Sequence, residues 1–129
     1  MPGEKIRMVV PGLPPYKDAH FSIRNPKHRR YQRFVDLRNA AIAAMAGRAW
    51  YVGPVRFTLN IATSEMEHSL GDYAGGVADT LDGSHGLIFT YLPIVYQDDS
   101  QIVQMSVSHE LSADPSYELV IDFLDTEAS

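Results

Sequence analysis

Five aspartates lie between Leu70 and Val103: Asp72, Asp79, Asp82, Asp98 and Asp99, with no Lys or Arg among the intervening residues. Carboxylates gathered without a counter-charge repel one another and hold protons unless a cation sits between them. The chain has no cysteine, so thiolate metal sites and disulfides are excluded. An oxygen-only donor set suits a hard divalent ion, Mg²⁺ or Mn²⁺. The chemistry expected of this stretch is metal-assisted work on a polyanion, set against the plainer alternative of solvated loop acids.

The charge distribution supports a polyanionic partner. All eleven Lys and Arg fall in residues 1–56, which carry only three acids, a formal +8. Residues 57–129 carry the other thirteen acids and no Lys or Arg, a formal −13. Such a chain can turn a basic face to phosphates while an acidic pocket takes metal, or its halves can neutralise each other across the fold. The net charge of −5 conceals this split.

The elements that must position these groups follow from pattern. At 129 residues and 45% apolar content the chain is one domain, residues 1–129, with enough apolar side chains for a core. No run approaches the length of a membrane span, and the N-terminus lacks a signal-peptide pattern, so a cytoplasmic location is expected. Lys5–Val10 reads as a strand, followed by a rigid turn through Pro14-Pro15-Tyr16-Lys17. Asn25-Pro26 reads as a helix start, with the helix running to Ala46 and stopping at Gly47. Its apolar stripe is Tyr31, Phe34, Val35, Ala41, Ile42 and Met45, with Arg29, Arg30 and Arg33 on the other side. Lys27, Arg29, Arg30 and Arg33 near a helix N-terminus suit phosphate contacts. Arg38 falls within the stripe, which predicts a paired acid or a subunit contact.

Val55–Thr63 alternates bulky and polar residues, a half-buried strand. Asp72–Leu81 reads as a short helix despite Gly75-Gly76, with Asp72 and Asp79 two turns apart on one face. Asp82-Gly83-Ser84-His85-Gly86 reads as a turn. Leu87–Tyr96 is apolar and returns Asp98-Asp99 alongside that helix. Gln101–Ser108 and Tyr117–Phe123 read as the last strands. The order predicts an α+β fold with a small mixed or antiparallel sheet, one long helix and one short.

With these elements in order, the chain resembles the RusA-type Holliday junction resolvases, endodeoxyribonucleases common in prophages. The likeness is carried by Pro11-Gly12-Leu13-Pro14-Pro15-Tyr16-Lys17 after the first strand, by the basic helix, and by two blocks further on. These are Gly76-Val77-Ala78-Asp79-Thr80-Leu81 and Gln97-Asp98-Asp99-Ser100-Gln101-Ile102-Val103, the second the more specific. The resemblance implies a homodimer that binds branched DNA and resolves four-way junctions with Mg²⁺, which Mn²⁺ can replace. It selects Asp99 as the second Asp of the Asp-Asp pair. It also implies an Asp-x-Asp-Asn segment before the short helix and a Lys on that helix. Without a gap, these positions fall on Ser69-Leu70-Gly71-Asp72 and on Gly75. A one-residue deletion puts Asp72 at the second Asp. The implied catalytic and metal residues are therefore Asp99 and Asp72, with Asp79, Glu65 or Glu67 as further ligands. The implied DNA contacts are Lys17, Arg24, Lys27, Arg29, Arg30 and Arg33. Two alternatives stay beside the nuclease: a weakened relative that binds branched DNA without cutting it, and a dimeric interaction protein using the fold alone.

Overall fold

A computed structural model of the chain describes residues 1–82 and 92–126. Strand β1 (Lys5–Pro11) leads to helix α1 (Tyr31–Met45), strand β2 (Val55–Ala62), helix α2 (Leu70–Leu81), a 3-10 turn at Asp99–Gln101, and strands β3 (Ile102–Glu110) and β4 (Ser116–Phe123). The four strands form one mixed sheet in the order β1-β4-β2-β3. The β4 strand pairs antiparallel with both β1 and β2, and β3 runs parallel to β2. The α+β architecture expected from the pattern is the one found.

Alternation sets which face is covered. Val55, Phe57, Leu59 and Ile61 of β2 are fully buried, as are Leu119 and Ile121 of β4 between Tyr117 and Phe123. Both helices lie on that face. Phe34, Leu37, Ala41 and Met45 of α1 and Tyr73, Val77, Ala78 and Leu81 of α2 complete the core. The opposite face is polar and pairs across strands: Arg7 with Glu118, Arg56 with Gln104, and Asn60 with Glu110 and Ser108. Among the described residues, no helix is long and apolar enough to cross a membrane.

Three local expectations change. First, α1 begins at Tyr31 rather than Pro26. Asn25 Oδ1 does accept the Lys27 N–H at 3.0 Å, but the chain then makes single turns, from His28 N–H to the Asn25 carbonyl and from Tyr31 N–H to the His28 carbonyl. The cause is His28, which is buried. Its Nδ1 accepts the Arg30 N–H at 2.9 Å, so its Nε2 carries the proton toward Asp18 at 3.1 Å. Second, the buried stripe of α1 runs through Leu37 instead of Ile42, which is 54% exposed. Arg38, beside that stripe, lies with its guanidinium carbon 5.7 Å from the centre of the Phe34 ring. Third, α2 starts at Leu70, because Ser69 caps it by accepting the Asp72 N–H on its hydroxyl at 3.1 Å.

The helix stop holds. Ala46 adopts the left-handed conformation at φ 51° and Gly47 follows at φ 82°. Arg48 then folds back, its Nε donating to the Met45 carbonyl at 2.9 Å and Nη2 to the Ala44 carbonyl at 3.1 Å, which satisfies the open helix end.

Two adjacent glycines in α2 also have a spatial reason. A Cβ on Gly76 would lie 2.5 Å from the Tyr16 backbone nitrogen and 2.6 Å from the Pro15 carbonyl carbon. The Pro14–Lys17 segment therefore crosses α2 in backbone contact. The Lys17 N–H closes the crossing by donating to the Asp72 carbonyl at 2.9 Å.

Candidate metal centre and nucleic-acid surface

A parallel β2-β3 pair needs a crossover, and here it runs through α2. That geometry sets the end of α2 beside the start of β3. Leu92–Tyr96 ties the two together: the Leu81 carbonyl accepts the Ile94 and Val95 N–H groups at 3.1 Å each, and the Tyr96 hydroxyl donates to the Ala78 carbonyl at 2.8 Å. Leu87–Tyr91 and the Gly83–Gly86 turn lie outside the described residues.

Gln101 fixes the 3-10 turn that follows. Its side-chain oxygen accepts the Gln97 and Asp98 N–H groups at 2.8 and 3.0 Å, while its Nε2 donates to the Tyr51 and Gly53 carbonyls at 2.8 Å each. Asp98 caps the turn, accepting the Ser100 N–H. Asp98 and Asp99 are thus separated by role through the capped turn, Asp98 holding the backbone and Asp99 leaving it.

Asp99 meets Asp79 and Asp82. One carboxylate oxygen from each of these three residues lies within 4.8 Å of the other two. Asp82 is buried, Asp79 half-buried and Asp99 exposed, so the group opens on one side. An octahedral Mg²⁺ with ligands at about 2.1 Å holds its oxygens about 3 to 4.2 Å apart. At least two of the three pairs would sit at the shorter spacing, so carboxylates up to 4.8 Å apart would close by as much as about 1.8 Å around such an ion, a movement within the reach of side-chain rotation. Burial pushes the Tyr96 hydroxyl well above the ordinary tyrosine range, and Asp82, Asp79 and Asp99 push it further in the same direction. Tyr96 consequently stays a donor to the Ala78 carbonyl while sitting in the shared field of all three acids.

Asp72 is not among them. It lies in the first turn of α2, about 10 Å of helix rise before Asp79. The acids that stand beside Asp99 are Asp79, expected as a further ligand, and Asp82, which the sequence pattern marks as a turn residue. Asp79 and Asp82 are three apart and α2 keeps helical geometry through Asp82, so a shared helix face was the available signal.

The cations divide. Lys17, Lys27, Arg29 and Arg30 are exposed. Arg29 and Arg30 share an open groove with Arg33, Leu13 and Pro115. Arg33, expected beside Arg29 and Arg30 on the side away from the apolar stripe, turns toward α2: it pairs with Glu67 at 3.3 Å and lies 5.6 Å over the Tyr16 ring, which itself stacks on His68. Arg24 turns inward and pairs with Asp82 at 3.2 Å while also contacting the Asp79 carbonyl. The acidic stretch therefore does receive a cation, from the other half of the chain.

No protein-family model matches this chain, and no curated protein matches it either.

Lys17 has a distinct place beside the triad. Its stem packs on Gly75, where an added Cβ would meet Lys17 Cδ at 3.3 Å. Gly75 precedes Asp79 by one helical turn, and Lys17 and Asp79 line one cleft. Lys17 and the half-buried Asp79 of the triad thus line a single opening.

Proposed function

We propose that this chain is a Mg²⁺-dependent, structure-selective DNA endonuclease of the RusA type, acting on four-way junctions in recombination and repair. The observation that carries the reading is the convergence of Asp99 with Asp79 and Asp82. Asp99 is the residue that the resemblance selects. A bound Mg²⁺ supplies Lewis-acid polarisation of the phosphodiester and lowers the pKa of a coordinated water. Asp79, Asp82 and Asp99 would hold it, and the Gln101 network fixes the turn that carries Asp99. Lys17, exposed and lining the cleft beside Asp79, would offer its ammonium to a phosphate oxygen there. Cleavage of a synthetic four-way junction in Mg²⁺ or Mn²⁺ tests the reading, and a purified protein that cuts in neither metal defeats it.

The second reading is a DNA-binding relative that does not cut. Two features favour it: α2 has Gly75 where the family carries Lys, and Arg24 already sits on Asp82.

Both readings use the basic surface. Arg29 and Arg30 are exposed at the start of α1, which has no acid in its first turn. Alanine at both positions should weaken DNA binding for all sequences alike and lower the slope of log affinity against log salt by about two. Filter binding across a salt series measures this, and an unchanged slope removes the surface from the interface.

A homodimer would match the two-fold symmetry of a four-way junction. Light scattering at micromolar concentration should return a mass near twice 14.4 kDa. A monomer mass rejects the dimer.

A further inference from the structure

We infer that Arg24 is the resident counter-cation of the acidic triad and that a divalent ion enters by exchange with it, so that Arg24 sets how tightly the site holds metal. The inference rests on reading Asp79, Asp82 and Asp99 as a metal site.

Asp82 has a side chain only 2% exposed. A buried carboxylate without a counter-charge is costly, and a chain must supply one or keep the acid protonated. Arg24 supplies it, with a side chain 18% exposed, so water screens this pair far less than a surface pair. The guanidinium is held in place twice over. Its Nη2 also reaches the Asp79 carbonyl, at the C-terminal end of α2, where the helix dipole favours positive charge. The backbone beneath it is fixed by the Arg24 N–H, which donates to Ser22 Oγ at 3.2 Å, and by the buried Ile23.

Asp82 is therefore already engaged by one cation while Asp99 stands on the open side of the triad. A divalent ion drawn to the same three carboxylates meets a like charge within a few ångströms. The cleft beside the triad, lined by Lys17, Ser22, Arg24 and Asp79, gives the guanidinium somewhere to go. Exchange keeps Asp82 compensated throughout: by Arg24 when metal is scarce, by the ion when it is abundant. The opposite arrangement, in which Arg24 stays on Asp82 and orients it for the ion, makes the contrary prediction for the same substitution.

Calorimetric titration of Mn²⁺ into the full chain separates the two. Arg24→Gln should bind Mn²⁺ about tenfold tighter than wild type, the size of effect that a nearby unit charge exerts through a partly buried medium. Without metal it should also melt below wild type, with saturating Mn²⁺ narrowing the gap. Equal or weaker binding by Arg24→Gln, with wild type still binding, overturns the exchange and leaves the metal site standing. No Mn²⁺ binding by either protein overturns the metal reading and the exchange with it. Should Arg24→Gln fail to fold, the wild-type protein decides. Its Arg24 Nη2–H signals in ¹⁵N NMR, the groups that hold Asp82 and the Asp79 carbonyl, should lose protection from solvent as Mg²⁺ saturates, and protection retained at saturation rejects exchange.

Discussion

The substitution Asp99→Asn should bring four-way-junction cleavage below detection, a loss of more than about 10³-fold, while DNA binding stays the same or tightens. Removing a single oxyanion donor from an enzyme costs about 10²–10³ in rate, and removing a ligand of the metal that organises the reaction costs more. The variant would keep the shape of the turn, because Asp98 caps it and Gln101 anchors it, and neither bond uses the Asp99 side chain. It would lose one negative charge beside the path of a phosphate, which is why binding should not fall. The effect on cleavage would therefore be separable from folding, which circular dichroism checks. A variant that still cuts within tenfold of wild type places the metal elsewhere.

The substitution Gly76→Ala should destabilise the fold by about 3 kcal/mol, the upper end of what overpacking costs. The added Cβ would sit within 2.6 Å of backbone atoms of Pro15 and Tyr16. Backbone cannot rotate away as a side chain can, and two prolines stiffen the segment it belongs to. Relief comes only by lifting Pro14–Lys17 off α2, which breaks the bond from the Lys17 N–H to the Asp72 carbonyl and uncovers Tyr16. For a domain of this size the melting temperature should fall by about 10 °C. The neighbouring change Gly75→Ala meets only the flexible Lys17 side chain and should cost far less. Equal melting temperatures for the two variants would mean that the crossing is not in backbone contact.

Local pattern carried most of the fold. The alternation of Val55, Phe57, Leu59 and Ile61 marks β2 because one face is buried and the other wet, and no tertiary contact overrides it. Gly47 marks the end of α1 because a left-handed exit needs little from the rest of the molecule. The start of α1 was not legible: whether Pro26–Arg30 coils into helix depends on where His28 is buried, and that is set by Asp18 on another segment. The site divides in the same way. Asp99 stood out through its neighbours in the chain. Asp82 looked like a turn residue, since nothing local separates the last residue of a helix from the first of a loop. Its pairing with Arg24 spans 58 positions and has no local trace.

The strand order has a bearing on biosynthesis. The β4 strand is the last in sequence yet stands second in the sheet, between β1 and β2. Its two neighbours are made early, at Lys5–Pro11 and Val55–Ala62, and each leaves a row of backbone N–H and C=O groups unpaired until Ser116–Phe123 is available to fill the gap. The sheet cannot close progressively as the chain leaves the ribosome; it closes once, after the chain has extended at least to Phe123. Until then β3 docks on a β2 that lacks its other neighbour, and the three aspartates have no stable frame to bring them together. The acidic triad would on this account come together only after synthesis has passed Phe123, and shortened chains ending before that point would leave β1 and β2 unjoined and be prone to aggregate.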